Sequence, residues 1–521
     1  MNIELQKNIG ALLEKAAIEN KDKTVIQFHH ENKKISYGQL NKTVNQYANA
    51  LQKQEIQKGD HVAVMLSNCP EFPFTWLALA KLGAVMVPLN NGYQSQDLEY
   101  VLNNSDACAL IIEDQFFSRY EGTKTLTPNV KSVFIVGGQQ EGHGEILTDL
   151  AAKESDKFTM GEIETEDLLN IQYTSGTTGM PKGCMLTHEY WLLCGACAAT
   201  QLNENDVFLT VTPFYYMDPQ WQLIMTLTAG STLVITRKYS ASDYMKWICD
   251  YKATVSWGTM AAWTLKQPES EYDKNHKMRF MFVGAFPPKL QCQFEERFNI
   301  KIRETFGMTE IGPGMMVPVE DDHMTGSGSV GKPMDFRQAQ IVDDQGNGVA
   351  VGEVGQLLIK GNGIFKGYYK NPKATANVFE GDWFKTGDLF KQDQDGYYYI
   401  VGRIKDMIRR SGENVSAKEV EDTLTSHPKI RSAAVVPVPD ESRGEEVKAY
   451  IIPVEGETPE SLPPEAIIEY CSTRIANFKI PRYFEYRKAF PQTPTGKIQK
   501  HILFNEQESV SSGYFDRMEK K

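Results

Sequence analysis

Tyr173 to His188 reads YTSGTTGMPKGCMLTH, and here side-chain type and spacing first suggest chemistry. Thr174, Ser175, Gly176, Thr177, Thr178 and Gly179 are too small and too polar to fill a core, but they can bring backbone N–H groups and hydroxyls up to an anion. Lys182 adds a compact ammonium suited to phosphate oxygens, and Pro181 stiffens its approach. The chemistry implied is the gripping of phosphate. The spacing is not that of a Walker A loop, which has a longer gap between its glycines and a hydroxyl residue after the lysine. Here two residues separate Gly176 from Gly179, and Gly183 follows Lys182. By itself such a run also fits a flexible surface loop. Leu168, Leu169 and Ile171 read as a strand before it, and Tyr190, Trp191, Leu192 and Leu193 as a helix after it. The loop is therefore expected between strand and helix, where open α/β folds bind ligands.

At 521 residues the chain exceeds one typical core, so two or more domains are expected. Charged residues at 23% and hydrophobic residues at 41% are ordinary globular values and argue against disorder. A net charge of −12 argues against a nucleic-acid partner, which needs a basic face. No apolar run reaches the roughly 18 residues of a membrane span, and MNIELQKNIGALLEKAAIEN patterns as an amphipathic helix and not as a signal peptide. A cytoplasmic protein is expected. The eight cysteines, Cys108 and Cys249 among them, read as reduced core residues. Cys194 and Cys197 form a C-x-x-C in a small, apolar helical stretch with no second pair, which favours packing over metal or redox chemistry.

Between residues 24 and 89 the pattern is strand, turn, helix, strand, helix, strand: Val25–Phe28, an amphipathic Tyr37–Gln52, His61–Leu66, Phe74–Leu82 and Ala84–Leu89. That alternation predicts parallel sheets with crossover helices, an α/β class. Strands are also expected at 207–212, 232–236, 254–257 and 281–283. The segment from Pro213 to Trp221 is aromatic with one carboxylate, Asp218, and reads either as packing at a helix start or as a pocket wall. Gly284 and Ala285 are small where a ligand would need close backbone approach. Thr309 and Glu310, taken alone, sit like residues near a helix N-terminus. Asp388 after Gly387 reads as a turn residue, Lys405 and Asp406 as a solvated charge cluster, and Lys497 as a surface charge. From 352 to 389 the chain is β-rich, and 404–521 has the size and alternation of a small α+β domain, with helices at 419–424 and 464–474 and strands at 432–438 and 447–452.

The order Ser-Gly-Thr-Thr-Gly-x-Pro-Lys-Gly resembles the signature loop of the adenylate-forming superfamily, which includes acyl-CoA synthetases, luciferases and peptide-synthetase adenylation domains. Arg303–Glu310, reading RETFGMTE, resembles the aromatic-Gly-x-Thr-Glu segment of that superfamily. Gly355–Gly361 with Gly367-Tyr368-Tyr369 resembles its small β subdomain, and Pro494–Ile498, reading PTGKI, its catalytic-lysine phrase. The resemblance spans roughly residues 30–505 and implies a large N-terminal domain, 1–403, of parallel α/β sheets plus a small β subdomain, and a mobile C-terminal domain, 404–521, carrying the lysine. It places nucleotide binding on the loop and on Glu304, Thr305, Phe306, Gly307 and Met308, with Phe306 stacking on adenine. Asp388 and Arg403 would contact ribose. Thr309, Glu310 and Lys497 would be catalytic, with Glu310 also holding Mg²⁺, which favours oxygen ligands. Lys405 matches the hinge, and Arg409, Arg410, Ser411, Gly412 and Lys479 are candidates for the CoA channel and its phosphates. One departure stands out: Tyr215 occupies a position where similar proteins usually have His.

The implied reaction has two steps. A carboxylate attacks the α-phosphate of ATP, giving acyl-AMP and pyrophosphate, and CoA thiolate then attacks the mixed anhydride after the C-terminal domain swings. Phrases such as Lys238–Ala241 and Arg410–Ser416 look most like the crotonobetaine/carnitine–CoA ligase group, with Tyr215, Tyr216, Trp221 and Trp257 as an aromatic box and Asp218 as the counter-charge to a quaternary ammonium. A short or medium fatty acid in an apolar slot is the competing substrate. Loading of a carrier protein's phosphopantetheine, and non-catalytic nucleotide binding, are the competing functions. The partners expected are the acid and CoA, with no nucleic acid and no membrane span. A homo-oligomer is compatible with all of this.

Overall fold

The computed structural model describes the chain apart from residues 1–4, 139–143, 175–180, 259–260, 285, 411–412, 441–442, 493–496, 507–514 and 519–521, and gives only the backbone at 405, 409, 413, 414 and 444. The described chain forms two compact units. One contains Pro181–Gln338, Ile359–Trp383 and the chain up to Thr174, and the other contains Ala339–Leu358 and the chain from Phe384 onward.

In the first unit the strand–helix alternation is present. Ser36 caps the helix Tyr37–Lys53 by accepting from the Gln39 N–H while the Gln39 side chain accepts from the Ser36 N–H, which fixes where the helix starts. His61–Met65 pairs in parallel with Val85–Pro88 across the helix Glu71–Leu82. These strands belong to a seven-stranded sheet ordered Glu145–Ile146, Ser132–Val136, Ala109–Glu113, His61–Met65, Val85–Pro88, Leu168–Thr174, Lys182–Thr187.

The last two strands correct the sequence expectation. Lys182 does not lead into a helix; it opens the strand Lys182–Thr187, which returns antiparallel to Leu168–Thr174. Cys184 and Leu186 are fully buried on this strand. The helix His188–Ala199 starts only after it, at Thr187, whose Oγ1 accepts the Tyr190 N–H at 3.2 Å. The phosphate loop therefore joins the two arms of a β-hairpin.

His188 is fully buried, and its Nδ1 accepts the Ile9 N–H at 3.3 Å, tying down the first helix, Ile9–Glu19. Burial pushes its imidazole pKa down to about 4, against an opposing pull from Asp167. Because the folded-state value lies below the ordinary one, stability is complete above about pH 6.5 and is lost as pH falls towards 4. His188→Gln should flatten that loss, by about 2–3 kcal/mol at the acid end, in denaturation measured at intervals from neutral to acid pH.

The second sheet of this unit is parallel through Thr24–Phe28, Thr232–Ile235, Val207–Thr210, Val255–Trp257, Phe280–Val283 and the first half of Lys301–Met308. Lys301–Met308 then turns back antiparallel into Gly312–Met316. Thr309 and Glu310 thus lie in a hairpin turn and cap no helix. The reading of Thr309 and Glu310 as residues near a helix N-terminus fails because the chain before them is a strand, paired with Phe280–Val283 on one side and with Gly312–Met316 on the other.

In the second unit, Asp388–Gln392 pairs antiparallel with Tyr398–Arg403. A separate sheet is built on Ile430–Asp440 and Gly444–Pro453, with Met407–Arg410, Glu413–Ser416 and Tyr483–Tyr486. The helices Ala417–Thr425 and Pro464–Ser472 pack on it through Val420, Leu424 and Ile467 against Val435, Val447 and Ile451.

All eight cysteines are free thiols. Cys108 and Cys249 are only partly buried, not core as expected, because each lies at the end of an element; Cys194 and Cys197 are buried in helix packing, and burial raises both thiol pKa values to about 12. Among the described residues no helix is long and apolar enough to cross a membrane.

Candidate active site

Three stretches far apart in sequence converge at the phosphate hairpin. Thr174 pairs with Lys182 across its mouth, and the Thr174 hydroxyl donates to the Lys182 carbonyl at 3.4 Å. The segment Lys366–Tyr369 runs along the free edge of the hairpin: Met185 N–H donates to the Gly367 carbonyl at 3.0 Å, and Tyr369 N–H to the Gly183 carbonyl at 2.8 Å. This places Tyr368 beside the loop. The Lys182 ammonium lies 5.0 Å from the centre of the Tyr368 ring, a cation–π distance, and the Tyr368 hydroxyl donates to Glu310 Oε1 at 2.7 Å. Burial first, and the Glu310 carboxylate second, push the Tyr368 hydroxyl pKa far above its ordinary value, so it stays a donor.

The turn carrying Thr309 and Glu310 is held by its own backbone. Tyr190 Oη donates to the Thr309 carbonyl at 3.0 Å, Phe365 N–H to the Glu310 carbonyl at 2.9 Å, and the buried Arg337 guanidinium to the carbonyls of Ile311 and Gly363. Glu310 is 8% exposed, a carboxylate kept in place. Gly307 faces Gly312 across the hairpin, where a Cβ would meet the Gly312 carbonyl oxygen at 2.7 Å, so only glycine fits. Glu304 accepts the Phe286 N–H at 3.1 Å, the Thr305 hydroxyl donates to the Val283 carbonyl at 2.9 Å, and Phe306 is 8% exposed. Met308 is half-buried at the strand end. Ser175, Gly176, Thr177, Thr178 and Gly179 lie outside the described residues.

The proposed acid-pocket residues gather at the carboxyl ends of the parallel strands, the edge at which such sheets bind ligands. The Trp221 and Trp257 rings meet edge-to-face at 5.7 Å, and Tyr215 and Tyr216 lie 4.6 Å apart. The Trp221 indole N–H donates to Asp218 Oδ1 at 3.4 Å. Trp221 itself is 7% exposed, so it braces Asp218 and Trp257 from behind. Gly284 is exposed at the end of Phe280–Val283, and among the described residues a Cβ there would meet only the Thr305 carbonyl, at 3.9 Å. Ala285 lies outside the described residues.

In the second unit Asp388 and Arg403 are direct cross-strand partners, with Arg403 Nε 2.7 Å from Asp388 Oδ1. Thr386 Oγ1 accepts the Asp388 N–H at 3.1 Å and donates to the Leu357 carbonyl at 2.8 Å, fixing the carboxylate's approach. Lys497 is exposed. Three residues on, Lys500 lies 2.7 Å from Glu421 and 3.7 Å from Asp406, tying the lysine-bearing segment to the turn Ile404–Asp406. Burial raises the Glu421 pKa against the pull of Lys500.

Two of the CoA-phosphate candidates are engaged elsewhere. Arg410 Nε lies 2.7 Å from the fully buried Glu446, and Lys479 donates to both oxygens of Glu419 at 2.6 and 2.8 Å. Sequence shows their charge but not these partners, so neither is an open phosphate receptor in this structure. The side chains of Lys405 and Arg409, and all of Ser411 and Gly412, lie outside the described residues.

Sequence reasoning missed Tyr368, Arg337 and Thr386. The Gly-Tyr-Tyr phrase marked the place of Tyr368, but only the pairing of Tyr368 with Cys184 across the hairpin edge shows its role. Among the described residues no group of three or more His, Cys, Asp or Glu could hold a metal by itself.

Known proteins resemble this arrangement throughout. Residues 13–369 match the AMP-binding enzyme family, and residues 419–497 match the AMP-binding enzyme C-terminal domain. A crotonobetaine/carnitine–CoA ligase of Proteus mirabilis is 36% identical over 92% of this chain and 96% of the relative, and one of Escherichia coli O157:H7 is 36% identical over 90% and 93%. An anthranilate–CoA ligase in complex with anthranoyl-AMP superposes with a TM-score of 0.88 at 27% identity, covering 98% of both chains. ATP-bound MatB from Rhodopseudomonas palustris superposes with a TM-score of 0.87 at 27% identity, covering 97% of this chain and 100% of that one.

Proposed function

The chain belongs to the AMP-binding enzyme family as an AMP-forming acid–CoA ligase, and we propose that the acid it activates is a small betaine of the crotonobetaine type. The observation that carries the choice of acid is Asp218, a half-buried carboxylate braced by the Trp221 indole at the carboxyl edge of the sheet, near aromatic rings. A quaternary ammonium gains about 0.5–2 kcal/mol per ring face and has no proton to donate, so aromatic faces plus one carboxylate suit it. Trp257, Tyr215 and Tyr216 supply the faces, and Trp221 supports them. The names of the relatives point to the same acid.

The residue roles follow from the same premise. Thr174, Lys182 and the loop between them grip the phosphates, with Tyr368 holding Lys182 and Glu310 in one cluster. Glu310, with Thr309 beside it, would hold Mg²⁺: its buried carboxylate, steered by the Tyr368 hydroxyl, is the oxygen donor that ion favours. When bound, the ion neutralises phosphate charge. Phe306 and the Glu304–Met308 strand line the adenine site, while Asp388 and Arg403 receive the ribose hydroxyls. Lys497 bridges the acid carboxylate and the α-phosphate during adenylation, neutralising charge as the carboxylate attacks phosphorus. The C-terminal domain begins at residue 404 and turns about Lys405, presenting the segment around Arg409 and Gly412 for the thiolate attack on acyl-AMP. Exclusion of water from the mixed anhydride is what a movement on that scale achieves.

The test is pyrophosphate and AMP release from ATP, measured across a panel of acids with and without CoA. Crotonobetaine should be preferred over crotonate, and Asp218→Asn should cut that preference about tenfold, equivalent to about 1.4 kcal/mol. A fatty acid turning over faster than any betaine, with Asp218→Asn indifferent, would replace the betaine with an apolar acid. Release that ignores CoA would point to a carrier-protein acceptor.

A further inference from the structure

The strand that ends in the phosphate loop has two unlike faces. Ile171 and Tyr173 belong to the apolar core on one side. On the other, Asn170 and Gln172, 0% and 5% exposed, form a polar file leading up to Thr174. A buried amide that makes no hydrogen bond lowers stability, so the partners of these two are the point of interest.

What they hold is the aromatic turn ahead of Asp218. Gln172 Nε2 donates to the Tyr215 carbonyl at 2.7 Å. Asn170 takes the Trp76 indole N–H on its oxygen at 3.0 Å and donates to Gln220 Oε1 at 2.9 Å, which turns the Gln220 amide so that its Nε2 donates to the carbonyls of Phe214 at 2.9 Å and Tyr216 at 3.1 Å. Asn68 closes the near end, accepting the Phe214 N–H at 2.8 Å and donating to the Thr212 carbonyl at 2.9 Å. Three consecutive carbonyls, 214 to 216, are thus each held by a side-chain amide. The Tyr215 and Tyr216 rings, 4.6 Å apart, project from this fixed backbone. Gln172 pays for this with a buried Oε1 that has no hydrogen-bond partner.

We propose that Gln172 and Gln220 are positioning residues that lock the Tyr215–Tyr216 wall of the acid pocket to the strand bearing the phosphate loop, and so set which acids the enzyme activates. The inference rests on the reading of Tyr215 and Tyr216 as pocket residues. A wall fixed to the phosphate strand keeps one distance between the acid's tail and the α-phosphate, so an acid of the wrong length brings its carboxylate to the wrong place. Acid choice and nucleotide geometry are then linked directly by the hydrogen bond from Gln172 and, through Gln220, by the one that Asn170 donates to it.

The experiment is acid-dependent ATP–pyrophosphate exchange with crotonobetaine and crotonate, in the wild type and in Tyr215→Ala, Gln172→Leu and Gln172→Glu. Gln172→Leu keeps the bulk and removes the donor. It should raise KM for the preferred acid about tenfold and narrow the ratio between the two acids at least threefold, with KM for ATP within about twofold of the wild type. Gln172→Glu should show the same defect at roughly pH 9 and recover as pH falls to roughly 6, because a buried carboxyl titrates high and, once protonated, donates to the Tyr215 carbonyl again. A merely structural amide would lower thermal stability without that pH-dependent recovery. If Tyr215→Ala shifts acid KM and neither Gln172 variant does, the coupling is wrong and the pocket stands. If Tyr215→Ala is also silent, the pocket assignment falls and the coupling with it. Equal losses in KM for acid and ATP, or a Gln172→Glu enzyme indifferent to pH, overturn the proposal even where Gln172→Leu does not fold.

Discussion

Replacing Lys497 with methionine should reduce acyl-AMP formation by about 10²–10³-fold, the cost of removing one preorganised donor from a charge-developing transition state. Methionine keeps much of the length of the side chain and removes its charge, so the loss isolates electrostatics from packing. Lys497 is exposed and belongs to none of the hydrophobic clusters, so the protein should keep its fold and its melting temperature. The second half-reaction should be nearly untouched: supplied with acyl-AMP and CoA, the variant should form thioester within about threefold of the wild-type rate, as an interaction made in one transition state only is lost from that step alone. Single-turnover pyrophosphate release and thioester formation from supplied acyl-AMP check the two arms separately. Equal losses in both would mean that Lys497 serves binding or folding, and that the lysine has been assigned to the wrong step.

Glu310→Gln should have the next largest effect, lowering kcat/KM for adenylation by about 10²-fold and raising the Mg²⁺ concentration needed for half-maximal rate. The amide still offers an oxygen to the Tyr368 hydroxyl, so the geometry of the turn survives while the negative charge does not. Tyr368→Phe is the companion. It leaves the charge and removes the donor that steers it, together with nothing of the ring beneath Lys182, so its loss should be about tenfold and confined to steps that use the phosphate grip. Titrating Mg²⁺ in both variants separates them, since only the loss of charge should weaken the response to the ion. A Glu310→Gln enzyme of wild-type rate would remove Glu310 from the chemistry.

What the sequence displays depends on how local its cause is. The Ser175–Lys182 phrase stands out in the sequence because its residue order, and not its small polar residues alone, marks it, and the helix Tyr37–Lys53 because Ser36 and Gln39 cap it within one turn. The hairpin was not legible. Gly183 to Thr187 is too short to show a period, and the pairing that makes it a strand comes from Leu168–Thr174 on the far side of the loop. Thr309 and Glu310 misread as a helix start for a similar reason, since turn and cap favour the same residue types. Arg410 and Lys479 displayed charge, whereas their fates rest on Glu446 and Glu419, thirty-six and sixty residues away. Asn170, Gln172 and Gln220 passed unnoticed between apolar neighbours. Their meaning lies in the carbonyls they meet, and a carbonyl leaves no mark in a sequence.

The pairing of Lys366–Tyr369 along the hairpin also dates the site within the life of the chain. Lys182–Thr187 is the last strand in its sheet, and until residues 366–369 arrive its outer backbone groups face solvent as an open edge. Nearly 180 residues separate the end of that strand from the segment that covers it. A ribosome adding about 5–20 residues per second needs roughly 10–40 seconds to cross that interval. Throughout it the nascent hairpin lacks Tyr368, and the cluster of Lys182, Tyr368 and Glu310 cannot exist. The cluster is therefore a late acquisition of the growing polypeptide, and under the proposed roles ATP cannot template the folding of the hairpin through it.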